Sequence, residues 1–397
     1  MIHLDMFGRK VLTDILELLE NFPSVMLYGP RQIGKTTIAK SIAEIFPKKT
    51  HYFDLEKESD AFPLKTNAHE FLMALKDDLV ILDEVQLYPQ LLSFLRSIID
   101  EHRIPGRFIL LGSADPQLVT GVSESLAGRV IYKEINQITF LEATEQNISL
   151  EQHWFRGGFP EALQLKSDKM WTEWTQSFIQ TYIYRDINLL FGINLSPQII
   201  AKMWSMLAHL NSDIENMQNL GRSLGLTGTS AKKYLDYMEG AYLIRRLAPW
   251  HQNNGKRLVK SPKLYVRTWG VLHHLLQITS YHQLQTNPAL GASWEGYVVE
   301  QIHAAKPKEI DLYYYRTHHG AEVDLVLIKG VKPIATIEIK YSNAPVLSRG
   351  YYESLSDLET KDNFVITPNS QTVTTKEGVQ VLGLEAFLKD DLINKIN

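Results

Sequence analysis

The sequence contains no cysteine among its 397 residues. Disulfides, thiolate metal ligands and cysteine nucleophiles are therefore excluded. No uncharged run of about 18 apolar residues occurs, so a membrane-spanning helix is not predicted. Residues 1–5 lack the basic and apolar regions of a secretory leader. From these features we expect a soluble cytoplasmic protein that makes no membrane contact.

The formal net charge of the chain is also small, at −4. A global basic field that would attract nucleic acid is excluded, so any such contact needs a local patch. A prior of about 150 residues per domain indicates two or three domains. We predict domains at 1–150, 151–270 and 271–397.

Residues 29–36 fit the phosphate-binding pattern G-x-x-x-x-G-K-[ST]. A short apolar run at 25–28 precedes the motif, and a helical apolar pattern at 37–46 follows it. Backbone N–H groups at such a helix start bind phosphate oxygens. We expect Lys35 to reach the β- and γ-phosphates and the Thr36 hydroxyl to bind Mg²⁺. The alternative is a chance glycine turn, which the flanking strand and helix argue against.

A second apolar run, at 79–82, ends in Asp83 and Glu84. A buried parallel strand delivers such side chains to the carboxyl edge of its sheet. Asp83 would hold Mg²⁺, and Glu84 would orient or deprotonate the water that attacks the γ-phosphate. The alternative is an acidic pair in a surface loop.

Two further polar residues follow glycines in this region. Ser113 ends the predicted strand 107–113 and is placed to contact the γ-phosphate or the attacking water, or it is a turn residue. Arg129 follows Gly128 and would stabilise transition-state charge in cis or across a subunit interface. A plain surface arginine is the alternative for Arg129.

The segments 29–37, 81–85, 111–113 and 126–129 resemble the ATPase domain of the AAA+ superfamily. They resemble in particular the bacterial and archaeal ATPases with a nuclease-like C-terminal domain of unknown function, the DUF4143 type. The resemblance implies a parallel sheet with an extra strand between the P-loop strand and the acidic strand. It also implies ATP and Mg²⁺, with Ser113 in the place of a polar sensor that is often Asn or Thr, and Arg129 as the finger candidate. The implied nucleotide contacts are Gly29, Pro30, Arg31, Gln32, Ile33, Gly34, Lys35, Thr36 and Thr37.

The middle of the chain is predicted to be helical, with a hinge or junction at Gly157 and Gly158. Arg185 and Asp186 form either a relay to the nucleotide or an ion pair packed between helices. Residues 219–238 predict two helices joined by a glycine turn, with Thr229 or Ser230 as the N-cap of the second.

Strands at 242–247 and 263–266 follow, with a tip at 252–257, and the whole resembles a winged-helix module. Its basic residues form a local patch that either contacts DNA or is the solvated face of a protein–protein spacer. These residues are Lys232, Lys233, Arg245, Arg246, Lys256, Arg257, Lys260 and Lys263.

The last domain combines a helix carrying Glu295 with a strand carrying Asp324 and a strand ending in Glu338-Ile339-Lys340. Glu338 and Lys340 share one face of their strand because side chains alternate. Carboxylates and an ammonium group that converge in this way suit metal-assisted phosphodiester hydrolysis.

This pattern resembles the PD-(D/E)xK nuclease core, although Val323 rather than Pro precedes Asp324. The resemblance implies Glu295, Asp324 and Glu338 as metal ligands and Lys340 as the catalytic lysine. The alternatives are a solvated strand edge and an intact core that binds a partner without cutting.

We therefore expect an α/β protein with an N-terminal P-loop sheet, a helical and winged-helix middle and a restriction-endonuclease-like C-terminal domain. The leading hypothesis is a Mg²⁺-dependent ATPase coupled to DNA binding or nucleolytic processing. The second is a regulatory nucleotide switch whose C-terminal half binds a protein or nucleic acid without cleavage. A homo-oligomer would allow Arg129 to act in trans.

Overall fold

The computed structural model describes residues 7–115, 126, 128–251, 257–369 and 371–392. Ala127 of the predicted arginine segment, and residues 252–256 of the predicted tip with Lys256 among them, lie outside the described residues. Among those described, no helix combines the length and apolar character needed to cross a membrane.

Five of the described strands form one parallel sheet in the order β2-β3-β4-β1-β5. They are β1 (Ser24–Tyr28), β2 (Thr50–Asp54), β3 (Leu79–Asp83), β4 (Phe108–Gly112) and β5 (Val130–Glu134). Strands β3 and β4 are buried along their whole length, as apolar runs covered on both faces require. The predicted extra strand is confirmed, because β4 lies between β1 and β3. This order brings the ends of β1, β3 and β4 to one edge.

Helices cover this sheet and fix the position of the P-loop. They are α1 (Val11–Asn21), α2 (Lys35–Ile45), α3 (Glu58–Ala74) and α4 (Gln90–Glu101). Helix α2 starts directly after β1 and its loop, and it buries Ile38 and Ile42 in the core beneath. The start of α2 therefore faces the same sheet edge as the acidic end of β3.

The middle of the chain is helical and ends in an antiparallel pair of strands. Its elements are α5 (Phe140–Thr144), α6 (Leu150–Arg156), α7 (Pro160–Gln164), α8 (Asp168–Thr181), a π-helical turn (Tyr182–Asp186), α9 (Ile187–Phe191), α10 (Pro197–His209), α11 (Met217–Leu224), α12 (Gly228–Gly240), β6 (Ile244–Leu247) and β7 (Lys263–Val266). The predicted N-cap of α12 is wrong: the Thr227 side chain accepts from the Ser230 N–H, so the helix begins earlier.

Gly157 and Gly158 lie at a close backbone contact. A Cβ added to Gly158 would lie 2.6 Å from the Ile138 carbonyl oxygen. The facing Gly270 is tighter still, because a Cβ there would lie 2.2 Å from the Arg156 carbonyl oxygen. These glycines therefore form a packed junction, which places Pro160 beside the P-loop domain.

The C-terminal region is a mixed sheet with helices. The helices are α13 (Trp269–Leu275), α14 (Tyr281–Gln285), α15 (Leu290–Ala305), α16 (Arg349–Leu358) and α17 (Leu384–Ala386), with a π-helical turn at Phe387–Asp391. The strands are β8 (Ile310–Arg316), β9 (Glu322–Lys329), β10 (Lys332–Ile339), β11 (Asp362–Thr367), β12 (Val373–Thr374) and β13 (Gln380–Gly383), in the order β12-β13-β11-β10-β9-β8. Strands β8, β9 and β10 run antiparallel, whereas β10, β11 and β13 run parallel.

Aromatic rings join the middle to the C-terminal region. The Trp154 ring on α6 lies 5.1 Å from the Trp294 ring and 6.3 Å from the Tyr297 ring, both on α15. The first contact is edge-to-face, a favourable geometry for buried rings. The contact fixes the position of α15, and with it the adjacent Glu295.

Candidate nucleotide site and C-terminal acid cluster

The Lys35 side chain is buried within its own P-loop. Its ammonium group donates to the carbonyl oxygens of Gly29 at 3.0 Å and Pro30 at 2.7 Å. Burial lowers the pKa of Lys35 to about 8. Gly34 adopts φ +91°, and an added Cβ there would meet nothing within 4 Å. The loop is thus a left-handed turn with open space beside the start of α2, where backbone N–H groups lack helical partners.

Thr36 and Asp83 meet at the carboxyl edge of the sheet. The Thr36 hydroxyl donates to Asp83 Oδ2 at 2.7 Å, and the Tyr52 hydroxyl donates to the same oxygen at 2.7 Å. A hydroxyl and a carboxylate are hard oxygen ligands, which Mg²⁺ takes together with water and phosphate oxygens. This donor set fits the magnesium that the sequence predicts. Sequence reasoning missed Tyr52, which lies on β2 beside β3.

Glu84 is held by several polar neighbours. Ser113 donates to its Oε1 at 3.2 Å, and the Gln86 amide donates to its Oε2. The Arg31 guanidinium lies 3.7 Å from Oε2. The structure thus brings Lys35, Thr36, Asp83, Glu84 and Ser113 together at one edge, as the resemblance implied.

Arg31 of the P-loop also bridges to the helical middle. Its Nη1 lies 2.8 Å from Asp186 Oδ1, and its Nη2 lies 3.2 Å from Glu56 Oε1. Asp186 is buried, and burial raises the pKa of its carboxyl. Asp186 thus forms an ion pair with a residue of the P-loop, and its role as a relay to the nucleotide stays a prediction. Sequence reasoning missed Arg31 as the partner, because 155 residues separate the two.

A cavity of about 220 Å³ lies beside the P-loop and the start of α2. Gly34 and Thr37 form one side of it, and Phe7, Ile138 and Pro160 contribute apolar walls. Arg9 supports this side, because it donates to the Ile33 carbonyl at 3.0 Å and to the Asn136 carbonyl at 2.7 Å. Neither Phe7 nor Arg9 lies in a motif that predicts a function.

Arg129 lies at the amino end of the parallel strands, whereas the P-loop lies at their carboxyl end. Strand β5 begins beside it, with Val130 paired to Ser24 at the start of β1. A five-residue strand spans roughly 16 Å, which separates Arg129 from the P-loop of its own chain. Its Nη2 also lies 2.7 Å from Asp100 Oδ2. A role for Arg129 in cis is therefore not supported, and a role in trans stays a prediction.

Four acids lie close together in the C-terminal region and are here called the acid cluster, and a lysine from β7 contacts three of them. The four are Glu295, Glu322, Asp324 and Glu338. Lys263 Nζ lies 3.2 Å from Glu295 Oε1 and 3.1 Å from Asp324 Oδ1. A third oxygen, Glu322 Oε1, lies 3.1 Å away. Burial alone would lower the pKa of Lys263, but these acids raise it well above the usual value. A charged lysine thus lies among two of the three predicted metal ligands.

Glu338 lies next to Asp324 on the neighbouring strand, because Ile337 pairs with Leu325. Lys340 Nζ lies 2.7 Å from Glu338 Oε1. Burial, followed by repulsion from Asp324, raises the pKa of Glu338 to about 8. The structure therefore gathers the predicted acids and Lys340, with Lys263 in addition. Across the described residues, no three His, Cys, Asp or Glu side chains are grouped so as to hold a metal ion.

Several members of the predicted basic patch are engaged inside the protein. Arg245 pairs with Glu300, Arg246 with Asp236 and Glu239, and Lys263 with the acid cluster. These three are therefore unsuited to bind a DNA backbone. Lys232, Lys233, Arg257 and Lys260 are exposed.

Comparison with known proteins divides the chain into three matched segments. Residues 21–144 match the family model described as an AAA domain. Residues 147–282 match a domain of unknown function, DUF8612, and residues 290–387 match another, DUF4143.

Full-length relatives are similar over most of their length. Uncharacterised proteins of Mycobacterium bovis and Mycobacterium tuberculosis are each 36% identical over 390 residues, which is 98% of this chain and 86% of theirs. Among solved structures, a Walker-type ATPase of Pyrococcus abyssi matches with a TM-score of 0.46 and 14% identity. That match covers 70% of this chain and 97% of the other.

Proposed function

Because the chain belongs to the family of P-loop AAA+ ATPases that carry a C-terminal DUF4143 domain, we propose that it binds ATP with Mg²⁺ and hydrolyses it. The observation that supports this most is the junction of Thr36, Asp83, Glu84 and Ser113 beside the P-loop. A P-loop with a purely structural role would not need the Glu84 carboxylate at this edge. The side chains of Ser113, Gln86 and Arg31 position that carboxylate.

The P-loop side chains are suited to the triphosphate. The buried Lys35 ammonium now donates to loop carbonyls, and phosphate oxygens would be stronger acceptors for it because they are charged. The open start of α2 supplies backbone N–H donors and a favourable dipole for the same anion. The purine base would enter the cavity walled by Phe7, Ile138 and Pro160.

The carboxylates of Asp83 and Glu84 would have different roles in hydrolysis. Thr36 and Asp83 would hold Mg²⁺, which would neutralise charge on the phosphates when bound. Glu84 would accept a proton from, or orient, the attacking water. Ser113 and Gln86 hold this carboxylate in place through hydrogen bonds to separate oxygens.

The deciding experiment is a calorimetric titration with Mg²⁺-ATP, followed by a turnover assay. Wild type should show saturable heat and release phosphate. Lys35→Ala should lose both, whereas the matched control Lys76→Ala, an exposed lysine on the same domain, should retain both. Absence of heat from wild type with every Mg²⁺-bound purine triphosphate would overturn the proposal.

Coupling to DNA is a second proposal, supported by the two lysines exposed near the start of α12, which follows the turn of a helix-turn-helix. Duplex DNA should stimulate ATP turnover by wild type, and Lys232→Glu/Lys233→Glu should lose that stimulation while keeping basal turnover. Equal turnover with and without DNA would leave this module as a spacer. Phosphodiester cleavage through Asp324, Glu338 and Lys340, which the resemblance implied, is not part of this proposal.

A further inference from the structure

The hydrogen bonds that the acid-cluster oxygens accept determine whether these oxygens are available to a metal ion. A lysine ammonium has three N–H donors, and Lys263 Nζ has three carboxylate oxygens at 3.1–3.2 Å, one each from Glu295, Glu322 and Asp324. Its side chain is only 4% exposed. The ammonium group is thus fully paired at the centre of the cluster.

The second oxygen of each of these carboxylates also has a donor. Ser212 donates to Glu295 Oε2 at 2.8 Å, and the Ile339 N–H donates to Asp324 Oδ2 at 3.0 Å. Arg316 Nη1 lies 3.1 Å from Glu322 Oε2. All six oxygens are therefore engaged by protein donors, and Glu338 Oε2 is the acid-cluster oxygen without a hydrogen-bond partner in the described structure.

A divalent cation does not fit this arrangement. Mg²⁺ is usually bound by one or two carboxylates together with water and substrate oxygens, but two of the three predicted ligands, Glu295 and Asp324, direct an oxygen at Lys263 instead. The positive charge of the Lys263 ammonium group would also repel a divalent cation at this position. The lysine comes from β7, outside the predicted nuclease-like domain, so it joins that domain to the middle of the chain.

We propose that the ammonium group of Lys263 takes the place of the divalent cation in the C-terminal domain of this chain. The domain then holds its acids together without a metal, and metal-assisted phosphodiester hydrolysis does not occur there. This inference is independent of the ATPase proposal, because it concerns other residues and its test uses no nucleotide.

The test is Mn²⁺ binding by calorimetry together with thermal unfolding, with Asp83→Asn in every protein so that the P-loop contributes no metal site. Without nucleotide, the Lys263-containing protein and the control Lys260→Met should show no saturable Mn²⁺ heat and no metal-dependent change in Tm. Lys263→Met should lose several degrees of Tm in the absence of metal, because its acids repel one another. It should gain one Mn²⁺ site and recover Tm as the ion binds the folded state.

A double variant keeps the proposal testable if Lys263→Met fails to fold. Lys263→Met/Asp324→Asn removes one charge of each sign, so it should fold and remain insensitive to Mn²⁺. Saturable Mn²⁺ binding by the Lys263-containing protein that Glu338→Gln abolishes would overturn the proposal. A folded Lys263→Met protein that acquires no Mn²⁺ site would also overturn it.

Discussion

Glu84 has a left-handed backbone conformation, which is uncommon for a residue other than glycine. Its φ of +57° lies in the left-handed region, which for a non-glycine residue costs on the order of 1–3 kcal/mol. The strain occurs where the strand ends and turns its carboxylate towards Ser113 and Gln86. Such strain is typical of functional sites, and here it supports Glu84 as the residue that acts on water.

At this scale we predict that Glu84→Gln binds Mg²⁺-ATP but loses hydrolysis. The amide keeps the size of the side chain and cannot accept the proton, so turnover should fall by about 10²- to 10⁴-fold. Calorimetry and phosphate release measure the two properties separately. The exposed control Glu17→Gln should behave as wild type. Turnover by Glu84→Gln close to the wild-type rate would show that another group activates the water.

At the scale of elements, the π-helical turn Tyr182–Asp186 connects the nucleotide site to the helices. It interrupts the path from α8 to α9 and positions Asp186 against Arg31, and π turns often lie at functional sites. Arg31 lies near both Asp186 and Glu84. A change at the phosphates that moves Arg31 would therefore act directly on this turn.

We predict that Asp186→Asn uncouples this turn from nucleotide binding. In wild type, an ATP analogue with Mg²⁺ should change amide hydrogen exchange across residues 182–191. The variant lacks the charge that pairs with Arg31, so the change should disappear while affinity for the analogue stays within a few-fold. The control Asp168→Asn alters the Arg156 pair instead. An undiminished response in Asp186→Asn would show that the coupling takes another route.

Local patterns were sufficient for most of the elements and for part of the site. The P-loop, its strand and helix, and the end of β3 were predicted because motif and periodicity are both local there. We made no prediction for α3, which contains Pro63 and a non-helical residue, Asn67. The position of Lys263 could not be predicted, because its partners lie 32 and 61 residues away. The only local signal was a lysine beginning a strand of otherwise apolar residues.

At the scale of the whole molecule, a buried charge network joins all three regions. Arg267 lies 2.7 Å from Glu134 at the end of β5 and 3.1 Å from Glu300 on α15. Arg245 on β6 also donates to Glu300, with Nη2 3.1 Å from Oε2. Burial alone would raise the pKa of Glu300, but the two arginines lower it to about 2. The network therefore links the P-loop sheet to the C-terminal region through fixed charges.

We predict that Glu300→Gln destabilises the protein by roughly 3–5 kcal/mol at pH 7, because the buried Arg267 and the partly buried Arg245 lose a charged partner. The pKa of Glu300 is depressed in the folded state, so its stabilisation is present above pH 4.5. It is lost as the pH falls from 4.5 towards 2, by about 3 kcal/mol in total. Urea unfolding at several pH values measures both effects. The exposed control Glu309→Gln should match wild type, and equal stability of Glu300→Gln would contradict the network.

The last prediction concerns association between copies of the chain. Arg129 lies at the sheet edge away from its own P-loop and pairs at the surface with Asp100. A surface pair of this kind contributes little to stability, so a neighbouring triphosphate could compete for the arginine. If Arg129 acts in trans, ATP turnover per molecule should rise steeply with protein concentration, and Arg129→Ala should abolish the rise.

Mixing two inactive variants gives the sharper measurement of this trans action. Lys35→Ala lacks nucleotide binding but retains Arg129, whereas Arg129→Ala retains an intact P-loop. Their mixture should recover part of the wild-type turnover, because one copy supplies the arginine to the other's nucleotide. The exposed control Arg349→Ala should be fully active alone. Turnover that is independent of concentration, together with full activity of Arg129→Ala, would make Arg129 a surface residue with no part in ATP hydrolysis.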